Sequence, residues 1–141
     1  MNVKLITPKQ TIERMVAEGV EHIKQYTIRM LCYAGEQCIN DARLKGSYTD
    51  RTGNLRSSVG YVVVDSGRIV QLTMNPVTLN GKDGTKNGED YLRSLVGEFS
   101  TGVALIVVAG MKYAAYVEAR GYNVITSAEM LAETLIPQLI K

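Results

Sequence analysis

Tryptophan is absent from this chain of 141 residues, and histidine and phenylalanine occur once each. With His22 alone there is no His-x-x-x-His pair; Cys-x-x-Cys and clustered carboxylates are missing too, so the spacings that hold zinc or calcium do not occur. Ser57 and Ser58 lie outside any Gly-x-Ser-x-Gly turn, and a hydrolase triad would have only His22 as its base. Cysteine is limited to Cys32 and Cys38. Both fall in a stretch of helical periodicity, where six residues turn the chain through roughly 600° and raise it by about 9 Å, so the thiols point apart and cannot bridge. Two reduced, buried thiols are expected, as in a protein made in the cytosol, and apolar neighbours leave such thiols unreactive.

Charge of one sign is not in excess: 16 Lys and Arg stand against 14 Asp and Glu, and the basic residues are scattered. Bulk charge therefore does not indicate a strong electrostatic grip on nucleic acid. No segment approaches the roughly 20 apolar residues of a membrane span, and Met1-Asn-Val-Lys-Leu-Ile-Thr7 lacks the apolar stretch of a signal peptide. A soluble protein that leaves the cell by no secretory route is the expectation. What the chain does have is the composition of a folded protein, 45% apolar and 21% charged, enough at this length for one core. One domain spanning residues 1–141 is expected, without repeats or a linker.

Thr7-Pro8-Lys9-Gln10 has the form of a helix start, with Thr7 capping, Pro8 in the first turn and Gln10 completing a capping box. Ile12, Met15, Val16, Ile23, Tyr26, Met30 and Ala34 then recur at spacings of three and four, which predicts an amphipathic helix to about Arg43. Around Tyr26 to Ala34 apolar residues spread to other sides, so this part should be covered more completely. Unbroken, the helix would measure roughly 54 Å, against a diameter of about 37 Å for a compact domain of this size. It must break, with Gly35 as the candidate, or project onto a neighbour; projection is the favoured reading.

Lys45 to Asn54 reads as a turn-rich loop. Gly60-Tyr-Val-Val-Val64 and Arg68-Ile-Val-Gln-Leu-Thr-Met74, linked by Asp65-Ser66-Gly67, predict an antiparallel hairpin. Asn75 to Gly88 predicts a loop, because it carries Pro76, Gly81, Gly84 and Gly88; its Lys82 and Lys86 interrupt any phosphate-loop or calcium-loop pattern. Glu89 to Ser100 predicts a short helix on the sheet, and the apolar run Val103 to Gly110 is the candidate central strand. Tyr113 to Arg120 suits a turn or two of helix. Thr126-Ser-Ala-Glu129 reads as a capping box opening a last helix, with Met130, Leu131, Leu135 and Ile136 inside and Pro137 late enough to kink or end it. The expected fold is α+β: a long N-terminal helix, a small antiparallel sheet of three to four strands, short helices and a C-terminal helix. Of the eight tyrosines, at least half are expected in core or boundary positions, the rest at contact surfaces.

Two segments carry the functional reading. In Asp50-Arg51-Thr52-Gly53-Asn54-Leu55-Arg56-Ser57-Ser58-Val59-Gly60, Thr52 or Asn54 can cap a short turn, Gly53 permits positive φ, Leu55 packs inward and Arg56 presents its fork outward. In Tyr113-Ala114-Ala115-Tyr116-Val117-Glu118, Glu118 is the candidate ion-pair partner of Arg56, within or between subunits. The order of these segments resembles a family of minor tail components at the head–tail joint of long-tailed bacteriophages, the tail-completion type. There an amphipathic N-terminal helix leads to Thr-Gly-x-Leu-Arg-x-Ser, a hairpin, Tyr-Ala-x-Tyr-Val-Glu and a C-terminal helix. The likeness runs from about Ile12 to Ile140, with Asn75 to Ser100 reading as an insertion and Glu98-Phe99-Ser100-Thr101-Gly102 as a rival to the Glu118 segment.

The resemblance implies a non-enzymatic virion structural subunit, a tail-completion or neck component assembled in the host cytoplasm. It implies no catalytic residue, cofactor or metal, and partners among other phage neck or tail proteins. A homo-oligomeric ring, or docking on a ring, would follow, with nucleic acid met only by proximity and no membrane contact. Thr52, Gly53, Leu55, Arg56, Ser58, Tyr113, Tyr116 and Glu118 are the assembly motif it singles out. The alternatives are a tail terminator or other neck ring subunit, a DNA-binding module using Arg51, Arg56, Lys112 and Arg120, and an enzyme.

Overall fold

The computed structural model describes residue 4 and residues 6–49, 53–74 and 81–140. It opens with one helix, α1 (Lys9–Lys45), which runs for 37 residues without interruption. Thr7 does not cap it: Pro8 is the cap residue, no side chain bonds to the first turn, and the Pro8 carbonyl accepts the N–H groups of Thr11 and Ile12. Only the second half is covered, through Ile28, Leu31, Ala34, Cys38, Ile39 and Ala42. On the first half Met15, Val16, Val20 and Ile23 are 61, 61, 59 and 69% exposed. The apolar stripe read from the sequence thus outruns the body, and this arm projects.

Gly35 does not break the helix. A Cβ there would stand 2.5 Å from Cδ2 of Tyr61, so the residue serves a close approach of helix to sheet. Tyr61 is buried and its hydroxyl donates to Glu36 at 2.8 Å, one residue along the helix.

The sheet contains β1 (Val59–Asp65), β2 (Arg68–Thr73) and β3 (Val103–Ala109) in the order β2-β1-β3, both pairings antiparallel. The central strand is therefore β1, and β3 is an edge, contrary to the expectation from its unbroken apolar run. The hairpin turns at Ser66 and Gly67, both at positive φ (51° and 80°), the backbone that matches the twist of a two-residue hairpin. A bulge displaces the register between Val63 and Val64.

Strand alternation assigns the layers. Val59, Tyr61 and Val63 face α1, together with Leu105, Val107 and Ala109 from β3. Val62, Val64, Ile106 and Val108 face the other way, onto Leu92 and Val96. Leu92 belongs to α3 (Lys82–Leu95), which a 3-10 turn (Val96–Glu98) extends. This helix corrects the reading of residues 81–88 as a loop; residues 75–80, Pro76 among them, lie outside the described residues. The glycines are there for contact. A Cβ on Gly84 would meet the Asn54 carbonyl oxygen at 1.9 Å, one on Gly88 the Ser58 oxygen at 2.4 Å, and one on Gly110 the Gly88 Cα at 2.3 Å. The described part of the segment read as an insertion supplies the helix that covers the β1 and β3 part of that face.

Two helices complete the chain, α4 (Ala114–Ala119) and α5 (Thr126–Leu139), preceded by the single turn α2 (Asn54–Ser57) between α1 and β1. α5 lies on the covered half of α1, its far end fixed where the Tyr26 hydroxyl donates to the Leu139 carbonyl at 2.9 Å. Ala128, Ala132 and Ile136 face the core, whereas Met130, expected inside, is 63% exposed. Pro137 sits within α5 without ending it at once. The architecture is α+β, as expected, with three sheet strands.

Candidate functional site

Gly53 takes the left-handed conformation (φ 76°) that glycine tolerates best and opens the turn of α2. Leu55 is buried with Tyr48, Ala114 and Val124, so the two motif segments meet in one small cluster. Thr52, the other candidate cap of that turn, lies outside the described residues, as do Asp50 and Arg51. Asn54 turns its side chain elsewhere, accepting the Gly84 N–H of α3 at 3.1 Å. The Ser58 hydroxyl donates to the Leu55 carbonyl at 2.7 Å, and the Ser58 carbonyl accepts the Gly110 N–H at the end of β3.

Arg56 is half-buried. Its Nε and Nη2 donate to the carbonyls of Arg43 and Gly46, each at 3.2 Å, and its guanidinium lies 5.3 Å from the centre of the Tyr48 ring. These are the unsatisfied carbonyls at the C-terminus of α1, where a cation also opposes the helix dipole. Glu118 does the converse job at the N-terminus of α5. Its carboxylate accepts the N–H groups of Val124 (2.7 Å), Ile125 (3.1 Å) and Thr126 (3.2 Å), and also the Thr126 hydroxyl. Within the chain the ion pair between Arg56 and Glu118 is not formed, because each charge is taken up by a helix terminus nearer to it. The capping box expected at Thr126 and Glu129 is likewise replaced: Thr126 is inside the helix and Glu118 is the cap.

Asn123 joins the two ends. Its side-chain amide donates to the Lys45 carbonyl (3.1 Å) and to the Ser127 hydroxyl (2.8 Å), and its Oδ1 accepts the Ser127 N–H (3.1 Å). Sequence reasoning missed it, along with Arg43, which reaches from α1 to the carbonyls of Val59 (2.8 Å) and Met74, the start of β1 and the end of β2. An arginine in the last turn of a helix was a visible signal; an asparagine four residues before a serine at a helix start was another.

Tyr113 and Tyr116 are exposed, and Tyr116 accepts a 2.7 Å hydrogen bond from Arg120 one turn on. Of the basic residues a DNA-binding module would use, Arg51 lies outside the described residues, Arg56 is occupied at the end of α1, and Lys112 and Arg120 are exposed. Glu98, in the rival segment, is exposed on the 3-10 turn between α3 and β3. Six of the eight tyrosines are exposed and only Tyr48 and Tyr61 are buried, fewer inside than expected.

For chemistry there is little to assemble. His22 is exposed on the arm beside Glu18 and Glu21. Among the described residues no three His, Cys, Asp or Glu side chains are placed to hold a metal ion, and no helix is long and apolar enough to cross a membrane. Both cysteines are unbridged; burial pushes the Cys32 and Cys38 thiols up, and Cys38 contributes a hydrogen bond to the Ala128 carbonyl at 3.6 Å. Burial also pushes the Tyr61 hydroxyl up to about 12, so it stays a donor to Glu36.

Two apolar surfaces stand open. One is the stripe of the α1 arm. The other is a trough of about 540 Å³ between β3 and α5, floored by Cys38 and walled by Leu105, Val107, Ala132 and Ile136, with Glu129 and Glu133 at its rim. It exists because α5 packs chiefly on α1 and leaves Leu105 and Val107 of β3 only part-buried. No protein-family model, no curated protein and no solved structure matches this chain.

Proposed function

We propose that the chain is a non-enzymatic structural subunit of a phage virion, acting at the head–tail joint as a tail-completion or neck component. Its partners are other neck or tail proteins, and it is made in the bacterial host and carried in the particle. The observation that carries the reading is the α1 arm, where a helix of 37 residues leaves Ile12, Met15, Val16, Val20 and Ile23 exposed. A stripe of that kind on a soluble protein is a surface waiting for a partner. A second support is how the motif residues are used. Arg56, Ser58 and Glu118 are all engaged in holding backbone ends together, which suits a rigid building block.

Electron microscopy of particles made by the encoding phage with this gene deleted tests the reading. Full heads and separate tails are expected to accumulate. Joined, infective particles in normal number would contradict it.

A further inference from the structure

Nothing inside the chain accounts for Gly19. Glycine weakens the middle of a helix, and a Cβ added at this exposed position meets nothing within 4 Å. Around it lies the apolar stripe of the arm, Ile12, Met15, Val16, Val20 and Ile23, all exposed. The stripe runs on to Tyr26, whose hydroxyl holds the far end of α5. α5 lies antiparallel to α1, with Ala128 at Cys38 and Leu139 at Tyr26. Where α5 stops, α1 continues as a bare helix with its stripe uncovered.

We infer that the α1 arm pairs antiparallel with the α1 arm of a second copy, about a two-fold axis between Ala17 and Glu18, with Val16 of each copy seated on Gly19 of the other. In that register Ile12 meets Ile23 and Met15 meets Val20, while Gly19 leaves on either side of the axis the hole that a valine knob fills. A parallel pair would set Val16 against Val16 and Gly19 against Gly19, crowding one level and leaving another empty. The sizes of the side chains thus select both the partner and its direction. Charge plays no part in the choice. The six stripe positions are all uncharged, and Lys9–Glu13 and Arg14–Glu18 balance the arm's ionic groups beside them. The partner arm runs in the direction of α5 and so extends the antiparallel helix packing that already covers the rest of α1. Such a contact is isologous and closes at two copies. It rests on the reading of the arm as an assembly surface and names what covers it.

Disulfide trapping of two separate variants, Ile12→Cys and Ile23→Cys, tests the register at positions that are both exposed. Under mild oxidation an equal mixture is expected to give a dimer whose joined peptides link residue 12 to residue 23. Either variant alone is expected to form no bridge through its new thiol, because like positions stand roughly 16 Å apart at the helical rise. Sedimentation equilibrium of Gly19→Leu supplies the second measurement. Leucine favours the helix, and its Cβ meets nothing in the chain. Circular dichroism should therefore hold, while the dissociation constant of the dimer rises by roughly tenfold or more. Residue 12 joined to residue 12, a mixture without the 12-to-23 link, a wild type still monomeric at roughly 1 mM, or a Gly19→Leu chain that dimerises like wild type would each overturn the pairing. The outcome is separable from the deletion experiment. Linked arms with joined particles sink the head–tail reading alone, and unjoined heads and tails without linked arms sink only this contact.

Discussion

Gly35 and Tyr61 mark a close approach of α1 to the sheet: the ring lies where any side chain on residue 35 would begin, 2.5 Å from a Cβ. Alanine in mid-helix ordinarily stabilises by about 1 kcal/mol over glycine. Gly35→Ala should instead cost about 1–3 kcal/mol, the range for overpacking a filled interior. Gly19, on the arm with nothing within 4 Å, should show the ordinary sign and gain about 0.5–1 kcal/mol on substitution by alanine. Urea denaturation of the two variants checks both values.

Glu118 receives three backbone N–H groups of the segment that opens α5. Glu118→Ala should destabilise by about 1–2 kcal/mol, the loss expected for a helix cap. The reciprocal exchange Arg56→Glu with Glu118→Arg should not restore stability, since each residue serves a helix end and not the other. Thermal melts of both single variants and the double variant measure this; recovery in the double variant would bring back the direct ion pair.

Lys24 and Asp65 tie the base of the arm to the end of β1 at 2.8 Å. The hydrogen bond and charge of Lys24 hold the Asp65 carboxyl below its ordinary range, and those of Asp65 hold the Lys24 ammonium above its own. The depressed carboxylate stabilises the fold above its unfolded pKa of about 3.9 and loses that contribution as pH falls through the lower folded value. The raised ammonium contributes fully below about pH 10.4 and loses it as pH rises through the higher folded value. Asp65→Asn should therefore melt below wild type at neutral pH, and the two curves should converge in strong acid and in strong base.

The sequence carried the hairpin, the helices and their order because each has a local signature: β-branched runs about Ser66-Gly67, or apolar residues at spacings of three and four. It misplaced the central strand because Val-Ala-Leu-Ile-Val-Val-Ala is an unbroken apolar run, whereas Val-Gly-Tyr-Val-Val-Val-Asp is interrupted by Gly60, Tyr61 and Asp65. Which one is flanked on both sides depends on chain order in space. Residues 81–88 looked like a loop since glycine weakens an isolated helix, whereas Gly84 and Gly88 sit one turn apart on the face that touches α2 and β1. Opposite charges at Arg56 and Glu118 suggested a pair, but the unpaired carbonyls and N–H groups of two helix ends could not be seen before the ends were placed. The two motif segments do share one cluster, through Leu55 and Ala114.

The role proposed for the arm, joining heads to tails, is tested most directly by Val20→Asp with Ile23→Asp in a phage that carries the gene. Both residues are more than half exposed, so circular dichroism of the purified variant should match wild type. Micrographs should then show heads and tails unjoined, with the folded protein missing from the particles. Joined, infective virions carrying the variant at wild-type level would contradict the account.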